Sequence, residues 1–177
     1  MKYKRLIVCG DSYSEGMSDE IINGQYRGWA DRIADVMAQE EPEFTYVNLA
    51  VRGKLLKQVI DDQLPVAIGL VTGPDTLLTF HAGANDALRP SYKPEVAQAL
   101  YAEGVRRAAK TGATLMLFTV LERTGNSGRG SDVWGRVLAN LIKLFTKLAL
   151  KSVQLLLMPI VNLSLAIIAS WPLIVYI

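Results

Sequence analysis

The chain predicts an α/β fold, a parallel sheet of about four or five strands with helices on both faces. Three observations predict it. Short apolar runs of strand length alternate with segments whose apolar residues recur at helical spacing. That alternation holds through the first two thirds of the chain, as βαβ units require. Gly, Ser and Asn then gather just after three of the expected strands, where an open parallel sheet places its ligands.

Each element follows from its own residues. Residues 3–9 form a short apolar run closed by Gly10, which predicts a buried first strand. Residues 28–39 carry Trp29, Ile33, Val36 and Met37 at helical spacing and leave Asp31, Arg32 and Asp35 for solvent. Residues 44–49 predict the second strand. A helix is expected over 55–64, ending near Pro65. Gly73-Pro74-Asp75 marks a turn before a third strand at Thr76–His81. Residues 94–111 predict a helix with Val96, Leu100 and Val105 on one face and Gly112 as its cap. Residues 114–120 predict the fourth strand; beyond them 134–150 has helical character and 153–158 suits a fifth strand. The result is a three-layer α/β/α sandwich of flavodoxin-like type.

Composition bounds the function. At 177 residues the chain can bury a sizeable core. A net charge of +2 without a basic run argues against a nucleic-acid partner. The single cysteine, Cys9, excludes an internal disulfide, supplies no metal-ligand spacing, and is expected as a buried hydrophobe. Leu6-Ile7-Val8 is too short for a signal-peptide core, so a cytoplasmic protein is expected. The other end differs. All acidic residues lie at or before Asp132, and nothing after Lys151 is charged. This divides the chain into a domain at 1–135 and a hydrophobic segment at 136–177. Residues 152–177 reach the length of a membrane span, interrupted by Pro159 and Pro172. Membrane contact through them, and a membrane-associated location, form the alternative.

Three loops carry the chemistry. They are Gly10-Asp11-Ser12-Tyr13-Ser14-Glu15-Gly16, Asn48-Leu49-Ala50-Val51-Arg52-Gly53 and Gly83-Ala84-Asn85-Asp86. Each has a plain reading. Ser12 with Glu15 three residues on fits a helix capping box. Gly53 and Gly83 suit turns, and Asn85 with Asp86 suits a cap or Asx-turn. The first loop could also cradle a phosphate with its N–H groups.

Taken together, in this order and spacing, the three loops resemble the SGNH (GDSL-type) hydrolases, over about residues 4–125. Arg27-Gly28-Trp29-Ala30-Asp31-Arg32 and Asn85-Asp86-Ala87-Leu88-Arg89-Pro90 look like its small bacterial intracellular members. The resemblance implies an esterase that hydrolyses a small-molecule ester through an acyl-enzyme on Ser12, with no metal and no organic cofactor. A serine hydroxyl is a weak nucleophile and needs a base. The resemblance assigns the oxyanion hole to the N–H groups of Ser12 and Gly53 and the side-chain amide of Asn85. Gly53 suits that role because no Cβ blocks its N–H. Asn85 would donate through its NH₂ while its carbonyl oxygen is anchored elsewhere. Asp11 is expected to accept nearby N–H groups, with Gly83 and Asp86 ordering the third loop. Residues 19–25 and 88–93 are expected to flank the pocket.

The family's base is a His in an Asp-x-x-His segment near the C-terminus. Here no Asp follows Asp132 and no His follows His81. His81 ends the third strand, a neighbour of the first in this fold, which brings it toward the Ser12 loop. Packing or support of the site loops is its expected role, and the base its alternative one. The tail has three explanations: a shifted reading frame between about 131 and 143, a membrane anchor, or the completion of the fold. Negligible turnover is expected. A non-catalytic ligand-binding module of the same fold is the alternative function. An FMN site ranks below it, because Gly53 and the Gly-x-Asn-Asp loop have no role there.

Overall fold

The computed structural model describes residues 3–119 and 155–159. Its elements are β1 (Arg5–Gly10), α1 (Ser12–Glu15), β2 (Glu20–Ile22), β3 (Gln25–Arg27), α2 (Trp29–Glu40), β4 (Thr45–Asn48), α3 (Leu56–Gln58), a π-helical turn (Val59–Gln63), α4 (Leu64–Leu70), β5 (Thr76–His81), α5 (Ala84–Ala87), α6 (Pro94–Ala109), β6 (Thr114–Thr119) and β7 (Leu155–Pro159). Five strands pair in parallel in the order β4-β1-β5-β6-β7. With the β2–β3 hairpin set aside this is the 2-1-3-4-5 order of doubly wound sheets. The chain reverses its direction of growth between β1 and β5, so the crevice for a ligand lies at their carboxyl ends. In that register Gly10 stands opposite His81.

The sheet is buried on both faces, which explains why β1 and β5 are apolar without alternation. On one face Ile7, Cys9, Leu78 and Phe80 pack with Leu56, Val59, Leu64, Tyr101 and Val105. On the other Leu6, Val8, Leu77 and Met116 pack with Trp29, Ala34 and Met37 of α2. Each buried Val, Leu, Ile, Phe or Met side chain among them contributes about 1.5–3 kcal/mol relative to exposure. Gly104 lets α6 come close to the sheet, because a Cβ there would lie 2.9 Å from the Phe80 ring.

Four details differ from the sequence expectation. The helix expected to end near Pro65 continues to Leu70. It does so through the π-turn, whose exit is marked by a Leu64 N–H bond to the Val59 carbonyl five residues back. The wider turn precedes the residue that cannot donate, so the chain stays helical past Pro65. Second, Asn23 and Gly24 both have positive φ and close an antiparallel hairpin between β2 and β3. Asn-Gly is the pair such a turn demands, and it lies within the 19–25 stretch expected to flank the pocket. Third, Asp31 is not merely solvent-facing: it accepts the Gly28 N–H at 2.8 Å and the Tyr46 hydroxyl at 2.9 Å. Fourth, Val96 is exposed, whereas Val105 is buried as expected, together with Tyr101 and Ala108.

In the tail, β7 begins two residues after the expected start at 153 and pairs with β6 from Leu115↔Leu155 to Thr119↔Pro159. The helix expected over 134–150 and the division at 135/136 lie outside the described residues, as does most of 152–177. Among the described residues no helix is long and apolar enough to cross a membrane.

Candidate active site

β1 delivers the first loop. Its last residue, Gly10, has no room for a side chain, since a Cβ would lie 2.6 Å from Ser14 Oγ and 2.7 Å from the His81 carbonyl oxygen. The chain then turns into α1, and its N-cap is Asp11, whose Oδ1 accepts the Tyr13 N–H at 3.2 Å. Ser12 is therefore the first helical residue and not the cap. As the first residue of a helix its N–H has no intrahelical acceptor. Its side chain is half-buried and makes no hydrogen bond among the described residues. Glu15 does not close a capping box either. Its carboxylate accepts the Arg52 N–H at 2.9 Å and the Arg52 guanidinium at 2.9–3.2 Å. The same guanidinium lies 4.8 Å from the centre of the Tyr26 ring. At the far end of α1, Gly16 meets Gly28 backbone to backbone, where a Cβ on either would approach the other's Cα to 2.7 Å or less. The helix α1, the hairpin and α2 are thus tied at close range.

The second loop follows β4. Asn48 turns it by donating to the Ser14 carbonyl at 2.9 Å and accepting the Ala50 N–H at 3.0 Å. Gly53 has φ +76°, and a Cβ there would meet nothing within 4 Å. Left-handed backbone, rather than crowding, is the reason for glycine at this point. Its N–H has no acceptor among the described residues.

The third loop follows β5. Gly83 caps α5 with φ +111°. Asn85 Nδ2 donates to the Lys54 carbonyl at 3.0 Å and, at the longer distance of 3.4 Å, to Asp11 Oδ2. Its Oδ1 has no partner among the described residues. The anchoring is thus the reverse of the expected one, the amide nitrogen being held and the oxygen left over. The Asp11 bond is the weaker of the two. Asp86 accepts the Leu56 N–H at 2.8 Å and so ties the third loop to the start of α3, not to itself.

Electrostatics around these loops follow from burial. Asp11 is 1% exposed, and burial raises its carboxyl pKa against the Tyr13 hydrogen bond that lowers it. His81 Nδ1 is buried, lacks a hydrogen-bond partner among the described residues and stands 3.9 Å from Asp11 Oδ1. Burial lowers its pKa to about 4, so the ring is neutral at pH 7. The ring packs on Tyr13 at 4.9 Å and edge-on to Phe118 at 5.3 Å. Burial also pushes the Cys9 thiol up to about 12, which leaves it an inert hydrophobe.

The structure therefore brings Asp11, Asn85 and the Gly53–Lys54 turn together beside Ser12, with His81 behind Tyr13. Sequence reading missed Gln63. This side chain is 5% exposed and takes both the N–H and the carbonyl of Gly10, at 2.8 and 3.0 Å. A polar residue on the apolar stripe of Leu56, Val59, Ile60 and Leu64 was the signal.

Comparison with known proteins bears on the fold and the family. A member of the lipolytic protein G-D-S-L family from Veillonella parvula has a TM-score of 0.63 at 16% identity, covering 85% of this chain and 75% of that one. TesA has a TM-score of 0.62 at 21% identity, covering 82% and 74%. The psychrotrophic esterase EstA from Pseudoalteromonas sp., inhibited by monoethylphosphonate, has a TM-score of 0.62 at 16% identity, covering 88% and 76%. These likenesses establish the fold. No curated protein matches the chain. The family described as GDSL-like lipase/acylhydrolase matches residues 8–162. On that match, which takes in all three loops and β7, the chain belongs to the GDSL-like lipase/acylhydrolase family.

Proposed function

We propose that the chain is a serine ester hydrolase in which Ser12 Oγ attacks the ester carbonyl carbon, expels the alcohol and forms an acyl-enzyme that water then hydrolyses. The Ser12 and Gly53 N–H groups and the Asn85 amide would hold the oxyanion, each donor accounting for about 10²–10³ in rate. One observation carries this reading. Around an unengaged Ser12 hydroxyl, two N–H groups are uncommitted and the Asn85 bond to Asp11 is long enough to be exchanged for one to an oxyanion. Inhibition of the Pseudoalteromonas esterase by a phosphonate fits the same chemistry, since phosphonates mimic the tetrahedral state. The substrate class is small-molecule esters.

The proton on Ser12 is the weak point. Within the 177 residues no Asp-x-x-His follows the third loop. Neutral His81 has its ring against Tyr13 rather than an ionised partner at hydrogen-bond distance. That observation favours a second reading, a binding module that holds an acyl ester on the same loops without turning it over. A fluorophosphonate probe with mass-spectrometric mapping, run beside p-nitrophenyl acetate hydrolysis, tests both. The expected result is slow labelling at Ser12, absent in Ser12→Ala, with turnover no more than about 10³–10⁴ over water. No label at Ser12 would favour the binder. Ser12-dependent turnover at rates typical of intact serine hydrolases would overturn the missing-base argument.

A further inference from the structure

We infer that Gln63 is a positioning residue for the nucleophile, an inference that rests on the Ser12 reading above. The pairing of β1 with β4 ends at Val8↔Asn48, two residues before β1 itself ends. Beyond that point the Gly10 N–H has no strand partner on that side. Gln63 supplies one. Its Oε1 accepts the Gly10 N–H at 2.8 Å and its Nε2 donates to the Gly10 carbonyl at 3.0 Å, both bonds buried. The same carbonyl also accepts the Val51 N–H at 3.2 Å. A side-chain amide can hold both groups of one peptide because it carries a donor and an acceptor side by side. Leucine would leave the Gly10 N–H unpaired and its carbonyl with the Val51 N–H alone, and an ionised glutamate could accept but not donate.

Gly10 is two residues from Ser12, and with the Asp11 cap it sets the direction in which the chain leaves the sheet. Gln63 itself is the last residue of the π-turn, immediately before Leu64-Pro65. Such turns are frequent at functional sites. Gln63 touches neither Ser12 nor any reacting atom; it acts through the Gly10 peptide. A clamp on that peptide fixes where Ser12 Oγ sits relative to the Gly53 and Asn85 donors. Small displacements of a nucleophile are costly in rate, on the order of 10²-fold for about an ångström.

The test uses the full chain and three forms: wild type, Gln63→Leu and the near-isosteric Gln63→Glu. Each is labelled with a fluorophosphonate over a range of probe concentrations at pH 8, at a temperature where circular dichroism shows it folded. Saturation separates probe affinity from the maximal rate at Ser12. Positioning predicts a maximal rate lower by at least about tenfold in both variants, with affinity changed by less than about twofold. A folded variant that labels Ser12 at the wild-type rate overturns the inference, and Gln63→Glu decides it if Gln63→Leu does not fold. Equal loss of affinity and rate also overturns it, since that reports general loosening of the pocket. Failure of wild type to label at Ser12 removes the Ser12 reading itself, a result separable from any effect of Gln63.

Discussion

A methyl group on Gly10 would fall within 2.8 Å of Ser14 Oγ, Ser14 Cβ and the His81 carbonyl oxygen, the last of which belongs to a central strand and cannot move away cheaply. On Gly53 it would meet open space and only strain a φ of +76°. Gly10→Ala should therefore cost about 1–3 kcal/mol from overpacking, or more, and Gly53→Ala about 1 kcal/mol. Urea denaturation of the two variants checks the order; a Gly53 variant as unstable as the Gly10 one would refute it. His81 offers a second residue-scale prediction. Its folded pKa, about 4, lies below the unfolded value of 6.5. Above pH 6.5 both states are neutral and the group contributes nothing. As pH falls from 6.5 toward 4 the unfolded state takes up the proton first, so stability is lost in that window, by up to about 3 kcal/mol. His81→Gln should flatten the fall in thermal midpoint between pH 6.5 and 4.5; an unchanged slope would show that another group controls it. Asp11, whose pKa is raised, has the opposite sign, and the comparison with the variant isolates His81. The loops that carry Ser12, Gly53 and Asn85 were legible in the sequence because each is a short contiguous run after a strand. Gln63 and the true partner of Glu15 were not, because each acts on backbone 53 and 37 residues away.

Among the elements, α1 and the loop after β4 are joined by an ionic contact beside the Asn48–Ser14 hydrogen bond. Glu15 binds Arg52 through both its N–H and its guanidinium, which immobilises the residue before Gly53 and faces the guanidinium toward Tyr26 of β3. Arg52 and Glu15 are partly exposed, so the pair should matter little for stability. Under the proposed function it should matter for the site, since it links α1, which carries Ser12, to the residue before Gly53. Glu15→Gln and Arg52→Ala are expected to leave the thermal midpoint almost unchanged while slowing Ser12 phosphonylation several-fold. The double variant should be no slower than the worse single one, as expected of residues acting as one unit. Additive losses would mean that the two act separately. The elements themselves were readable where a bounded apolar run or a helical period decided, as for β1, β5 and α2. They were misread where a local device overrode periodicity. The π-turn carries a helix through Pro65, and Asn23-Gly24 builds a hairpin in a stretch with too little alternation to announce one.

For the whole molecule the composition changes after Asp132, but the described residues beyond that point still belong to the sheet. The family match runs to residue 162, and β7 lies beyond the last acidic residue yet continues the sheet in register with β6. Neighbouring parallel strands satisfy each other's backbone groups, so β6 depends on β7 for the hydrogen bonds of one edge. A chain ending at Arg129 lacks that strand and would expose the β6 edge from Thr114 to Thr119. Exposed edges next to an apolar strand template association. The shortened chain should therefore melt at a lower temperature than the full one and elute as oligomers from a sizing column. Equal midpoints and a monomeric short form would mean that residues 130–177 are an appendage, and membrane fractionation of the full chain would then decide whether they anchor it. The fold was legible because alternation of strands and helices is written along the chain, and β7 was legible by the same rule. The base was not, for a different reason: a general base must be present as a side chain before any pattern can reveal it, and within these residues His81 is the only imidazole. If the sheet is complete through β7, the scaffold that holds Ser12, Gly53 and Asn85 is sound. Low turnover would then trace to proton transfer alone, and in the folded full chain imidazole added to the buffer should accelerate p-nitrophenyl acetate hydrolysis in wild type more than in Ser12→Ala.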